Sequence, residues 1–299
     1  MINRPLISIS LLFAAALAAD TVQYTYDAAG RLSNVSYANG TTIAYTYDKA
    51  GNLLSRVVAS MNSGPQISAG GVVNGASFQA PLARGSLATI FGSNLAGSTP
   101  ASASQLPLPT QLGGVQVSVA GKAAPLVYVS AGQINFQVPF EAPATGNVAV
   151  VVTNNGTASP PQNATIAEYA PGIFTYARTA NALDPIIVHG ADNTLITPTS
   201  PASANEVLVI YATGIGSYDN PPATGAPSAA SPLAQSIVKP TVTVGNAPAI
   251  VLFSGLTPGF VGLVQVNIQL PGTLPAGSSL PLVLSYNGSA APSVNLAVH

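Results

Sequence analysis

The sequence predicts an all-β chain: a short antiparallel meander followed by two β-sandwiches. Three observations carry this expectation. Beyond the N-terminus, apolar and polar residues alternate at period two, and no stretch has a convincing helical period. Turn-forming residues are dense, with 28 Gly and 26 Pro. Two different segments are each written twice.

MINRPLISISLLFAAALAAD opens the chain. Arg4 is a positive start, Leu6 to Leu17 is apolar, and Ala16 and Ala18 are small residues at cleavage positions. Residues 1–19 are expected to be a signal peptide, cut after Ala18 or Ala19. The apolar run is short for a span of about 20 residues, and no later segment is apolar and long enough to cross. The expected location is therefore secreted or cell-surface, with no transmembrane segment after cleavage.

Only 6% of residues are charged, against about 25% in an ordinary soluble domain. A net charge of −1 gives no basic field for nucleic acid. The absence of Cys excludes a disulfide framework, a thiolate zinc site and a cysteine nucleophile.

The meander is expected over 20–59. Tyr24 and Tyr26 alternate, so they share one face of a strand. Asp27-Ala-Ala-Gly30 is a turn signal, because Asp bonds the backbone ahead of it and Gly takes positive φ. Leu32 starts a returning strand through Val35 and Tyr37. Asn39-Gly40 is a hairpin turn. Ile43, Tyr45 and Tyr47 alternate next, Asp48-Lys-Ala-Gly51 repeats the first turn, and Leu53 leads out towards Val57. YTYDAAGRL at 24–32 and YTYDKAGNL at 45–53 are therefore one strand-turn unit written twice.

These quoted residues resemble the bacterial YD repeat, also called the RHS repeat. That resemblance implies an antiparallel sheet of the kind that many copies extend into a shell. It also implies a secreted or cell-surface setting, with carbohydrate binding in some members. Two copies give four strands, too few to close a shell.

Ser60 to Gln66 reads as linker, with 60–69 as its expected extent. Beyond it lies the second duplication. QINFQVP at 133–139 matches QVNIQLP at 265–271, and VVVTNNGT at 150–157 meets LVLSYNGS at 282–289 at the same offset. Upstream, LATIFG at 87–92 resembles VLVIYA at 207–212, and SYDNPPATGAPSAASP at 217–232 absorbs extra length as a loop. The expected units are 70–177 and 178–299. The first has strands at 87–91, 115–119, 126–129, 133–138, 148–153 and 164–168. The second has strands at 207–212, 241–244, 250–254, 263–270, 280–285 and 293–298. Ile134, Phe136 and Val138 are expected in the core. Gln133, Asn135 and Gln137 alternate with them, as Gln265, Asn267 and Gln269 do in the second copy. This polar row is expected to be solvated or to bond adjacent loops, with a ligand or the neighbouring domain as alternatives.

Here a second resemblance is specific. NGASFQAPLARGSLATIFGSNLAG, LGGVQVSVAGKAAPLVYVSAGQINFQVP and APGIF, followed by SPASANEVLVIYATGIG and GLTPGFVGLVQVNIQLP, resemble a tandem module of acidobacterial secreted proteins. Its two halves look like IPT/TIG-type immunoglobulin-like domains, which implies Ig-like β-sandwiches. It implies no catalytic residues and no cofactor.

A direct search for chemistry agrees with that. There is no GxSxG, HExxH, P-loop or dinucleotide fingerprint. With two His in the chain, a Ser-His-Asp triad would need His189 with Asp184 or Asp192. Calcium needs several oxygens, and only Asp184, Asp192 and Asp219, with Glu206 between the last two, gather even loosely. No metal or cofactor is expected. The expected function is non-enzymatic: binding, adhesion or spacing, with a polysaccharide or cell-envelope component as partner. Candidate ligand residues are Tyr24, Tyr26, Tyr45 and Tyr47, whose phenol rings suit stacking on sugars. Two other readings are open. The tandem module would be a sorting or envelope-attachment device, or the chain a truncated descendant of a longer YD protein.

Overall fold

The computed structural model describes residues 22–37, 40–60, 64–179, 182–275 and 277–299. The expected signal peptide and Asn39 of the hairpin turn lie outside them. Every element is a strand, a turn or a loop, as the period-two pattern predicts.

The meander comprises β1 (Val22–Tyr26), β2 (Leu32–Tyr37), β3 (Thr41–Tyr47) and β4 (Leu53–Ser60). They pair in chain order, all antiparallel. The two Asp-x-x-Gly turns are built alike. Asp27 Oδ1 accepts the N–H groups of Ala29 and Arg31, both at 2.9 Å. Asp48 Oδ1 accepts those of Ala50 and Asn52, at 2.9 and 2.8 Å. Gly30 and Gly51 take φ of 73° and 92°, which lets each chain reverse without a Cβ clash. The Arg31 backbone N–H, above all, holds the Asp27 carboxyl below its ordinary value. The Asn52 side chain, followed by its backbone N–H, does so for Asp48.

The first sandwich packs a five-stranded sheet on a six-stranded one. The five-stranded sheet runs Gln66–Asn74, Leu87–Ser93, Gln133–Gln137, Leu126–Val129, Ala101–Ser102. The opposing sheet centres on Val115–Val119 and Gly146–Asn154. Their inner faces meet in one core that includes Ile90, Ile134 and Phe136 from one sheet and Val117, Val150 and Val152 from the other. The strand at Gln66–Asn74 begins inside the stretch read as linker, pairing Gln66 with Ser93.

The second copy repeats the plan. Val264–Gln269 lies between Val207–Thr213 and Ala247–Leu256, as Gln133–Gln137 lies between Leu87–Ser93 and Leu126–Val129. Ala247–Leu256 serves both layers: its start pairs with Thr241–Val244, and its later part with Val264–Gln269. In the first copy the same path is broken at Ala124-Pro125 into Lys122–Ala123 and Leu126–Val129. The chain enters the second core at Ile173, and Gly172–Ile173 already pairs with Val207–Thr213, ahead of residue 178.

The copies are locked together by polar bonds in an apolar setting. The buried Thr213 hydroxyl accepts the Leu87 N–H at 2.9 Å and donates to the Gly262 carbonyl at 2.9 Å. Gln137 Oε1 accepts the Gly225 N–H at 2.7 Å, while its Nε2 donates to the Gly85 carbonyl at 3.3 Å. Within the first copy, Asn74 Nδ2 donates to the Ala170 carbonyl at 2.8 Å, just before the chain enters the second core. Phe140 meets Tyr218 edge to face, with ring centroids 6.2 Å apart.

Two outcomes follow from this geometry. Thr213→Val should cost about 1–3 kcal/mol for each backbone group left without its partner. Thr213→Ser should recover most of that in urea unfolding; equal stability of Val and wild type would refute the bridge. The two turn carboxylates, with folded pKa values below 3.8, support the meander above that pH. That support is lost as pH falls through the lower folded values. Carboxyl ¹³C titration should place both midpoints below 3.8, and a midpoint at or above it would contradict the turn bonding.

Candidate functional site

The four predicted tyrosines share one face of the meander. Strand register aligns Tyr24, Val35, Ile43 and Val58 across the sheet, and alternation puts Tyr26, Tyr45 and Tyr47 on the same side. Val35 and Ile43 are buried at its centre. Tyr24 and Tyr26 stand clear, at 59% and 60% exposure. Tyr45 and Tyr47 are half-buried. Tyr47 is tied into the sheet: its hydroxyl donates to the Leu32 carbonyl at 3.0 Å, and the Arg31 guanidinium lies 4.8 Å from its ring centroid. The structure therefore divides the set into two free rings and two supporting ones.

A second concave surface lies on the outer face of the five-stranded sheet of the first sandwich. It encloses about 840 Å³. Its floor is the polar row that the alternation singled out. Thr89 Oγ1 and Gln133 Nε2 both donate to Asn135 Oδ1, at 3.1 and 2.9 Å. The solvated reading of that row is corrected in the first copy, where Gln133, Asn135 and Gln137 are all buried. The physical reason is the second copy: its 257–263 segment and the 103–108 loop stand over the sheet, and Gln137 bonds Gly225 directly. In the second copy Gln265, Asn267 and Gln269 are half-buried. Phe91 and Tyr128 flank the floor, and the exposed Leu106 and Phe260 form the rim. Among the described residues, the Tyr128 phenol is the one ionisable side chain that lines the groove.

His189 is held differently from either triad considered above. Its Nδ1 faces Glu206 Oε1, and its Nε2 lies 3.1 Å from Ser200 Oγ and 3.3 Å from the Ser200 carbonyl. Asp184 is instead paired with Arg178 at 2.6 Å, and Asp192 caps Thr194. Which ring nitrogen donates and which accepts depends on the tautomer, and the partners differ from the Asp184 or Asp192 pairing that the sequence offered. Glu206 Oε2 also accepts the Ser203 N–H at 2.8 Å. The cluster clasps the 197–206 loop to the strand Ile187–His189. Among the described residues, no group of three or more His, Asp or Glu side chains is arranged to hold a metal.

Sequence reasoning missed the groove, because its walls come from Leu87–Ser93, the 103–108 loop and the second copy. The only available signal was the Gln-Ile-Asn-Phe-Gln alternation at 133–137.

Known proteins match this chain in parts. The RHS repeat family model matches residues 18–42 and 26–60, and the IPT/TIG domain model matches 72–166. No curated protein matches the sequence. Among solved structures, the chain is similar to SGBP-B from a complex xyloglucan utilization locus in Bacteroides uniformis. That similarity has 12% identity and a TM-score of 0.25, over 78% of this chain and 49% of that one. SGBP-B of the Bacteroides ovatus mixed-linkage glucan utilization locus, in complex with a mixed-linkage heptasaccharide, shows 10% identity and a TM-score of 0.34, over 94% and 60%. The BSP domain of a biofilm associated protein shows 12% identity and a TM-score of 0.24, over 92% and 45%. The chain thus spans between 45% and 60% of the length of these structures. The two resemblances read from the sequence, an RHS repeat pair at the N-terminus and an IPT/TIG-type sandwich after it, are both matched by family models.

Proposed function

We propose that this chain is a non-enzymatic, secreted or cell-surface binding protein whose meander takes a neutral glycan on its tyrosine face. The observation that carries this reading is the pair Tyr24 and Tyr26. They are exposed side by side at alternate positions of β1, beside the buried Val35 and Ile43. A phenol ring on a stiff sheet offers apolar area to the C–H face of a sugar and a hydroxyl to its edge, at little entropic cost. Tyr45 and Tyr47 support the face from β3. The N-terminal segment 1–19 supports export, as a signal peptide. In this reading the meander at 20–59 is the binding unit, and the units at 70–177 and 178–299 present it.

The test uses Tyr24→Ser with Tyr26→Ser, which removes the two free rings and spares the bonded Tyr47. Retention on a panel of neutral polysaccharides should fall by about tenfold or more, with the fold preserved by circular dichroism. Equal retention would sink the tyrosine platform. The His189 clasp gives a second expected outcome. Hydrolysis of p-nitrophenyl esters should not exceed buffer, and Ser200→Ala should change nothing. Turnover abolished by Ser200→Ala would overturn the non-enzymatic reading.

A further inference from the structure

The groove of the first sandwich is independent of the tyrosine face. We propose that it is a second binding site, for an uncharged amphiphile with an apolar body and a hydroxyl or carboxamide head. Size is the first argument. About 840 Å³ falls within the roughly 300–1,000 Å³ of small-molecule pockets.

The floor supplies the second. Asn135 and Gln133 are 6% and 8% exposed, so both are more than nine-tenths buried. Asn135 Oδ1 already accepts two hydrogen bonds, from Thr89 and Gln133. Among the described residues, no protein hydrogen bond occupies Asn135 Nδ2 or Gln133 Oε1, and both residues line the groove. A buried amide with a spare donor and a spare acceptor gains most from a ligand that offers both. A hydroxyl or a carboxamide does so, whereas a hydrocarbon end would leave both atoms unpaired.

Charge is the third argument. Among the described residues no carboxylate, ammonium, guanidinium or imidazole lines the walls, so a charged head entering this groove would lose hydration without gaining a counter-ion. Preorganisation is the fourth. Backbone bonds hold the roof segment: Thr257 N–H to the Leu263 carbonyl at 2.8 Å, Gly259 N–H to Ser228 at 2.8 Å, and Ser228 N–H to Phe260 at 3.0 Å. Leu108 N–H bonds the Gly225 carbonyl at 2.8 Å and fixes the other wall to the second copy. Phe260 and Leu106 are thereby set at the mouth while their side chains remain exposed. The site exists only because the two copies are joined.

The full chain can be titrated with the neutral fluorophore N-phenyl-1-naphthylamine. Saturable binding is expected, with displacement by 1-decanol. Decanoate at pH 8, of equal length but charged, should displace it about tenfold less well or worse. Ser102→Trp places a large ring at an exposed edge of the groove and should weaken the probe by about tenfold. Asn135→Leu should retain the probe and weaken decanol by about fivefold. Tyr24→Ser with Tyr26→Ser should leave all of these values unchanged, which separates this site from the glycan face. The proposal is overturned by non-saturable binding, by a folded Ser102→Trp protein that binds as wild type does, by decanoate matching decanol, or by loss of the probe in the tyrosine variant.

Discussion

The buried Thr213 hydroxyl bonds a backbone group in each half of the molecule. Thr213 sits at the end of a central strand of the second sandwich, yet both of its hydrogen-bond partners are elsewhere: Leu87 opens a strand of the first sandwich, and Gly262 lies in the roof segment. It accepts from one and donates to the other, so it satisfies two backbone groups where no water-filled gap is needed. The next residue, Gly214, takes φ of 82°, and a Cβ there would come within 2.0 Å of the Ala170 carbonyl. Backbones can approach this closely only because glycine has no side chain. The seam therefore combines backbone proximity and a bridging hydroxyl with a small apolar cluster in which Ala76 and Leu87 meet Phe174 and Leu263.

That choice fits the composition. With only 6% charged residues, the chain has few salt bridges to place, and those described sit at turns and loop edges. Polar specificity falls to Thr, Ser, Asn and Gln. Such groups cost little to desolvate compared with ions, provided that each finds a partner. Gln137 illustrates the rule. It has no measurable exposure, and its amide is satisfied from both sides, by Gly85 of its own copy and Gly225 of the other. Ser254 and Tyr286 do the same inside the second core, sharing one hydrogen bond of 2.6 Å. Burial raises the Tyr286 phenol well above its ordinary value against the lowering effect of the Ser254 bond, and burial, followed by the neighbouring Tyr286, raises that of Tyr218.

The strands were legible because period-two alternation is imposed by a sheet with one covered face. Val115–Val119, Leu126–Val129 and Thr241–Val244 occur with the ends that alternation predicts. The Asp-x-x-Gly turns were legible because their bonds are local, spanning at most four residues. What alternation does not reveal is what covers the second face. Gln133, Asn135 and Gln137 read as an outward polar row, and they are outward with respect to the core of their own sandwich. They are buried because a segment more than a hundred residues later in sequence folds over them. The partners of His189 were hidden for a related reason. Glu206 and Ser200 reach it through a loop whose shape depends on the Thr197–Ser200 turn. Sequence proximity had pointed to Asp184 and Asp192 instead.

The two candidate surfaces differ in how each was produced, and this sets what each is suited to recognise. The tyrosine face follows from local repetition: the same nine-residue unit, written twice, necessarily puts its aromatic residues on one side of a sheet. A flat, exposed face of this kind suits an extended ligand that contacts successive rings without being enclosed. The groove follows from duplication at a larger scale. Neither copy contains it alone, because the floor belongs to the first and much of the roof to the second. Partial cover by the second copy leaves a small polar floor in a mostly apolar groove, where a hydrogen-bonding atom discriminates more strongly than on a flat, open face. On the two proposals, the open surface would select by stacking and the partly enclosed groove by hydrogen-bond matching.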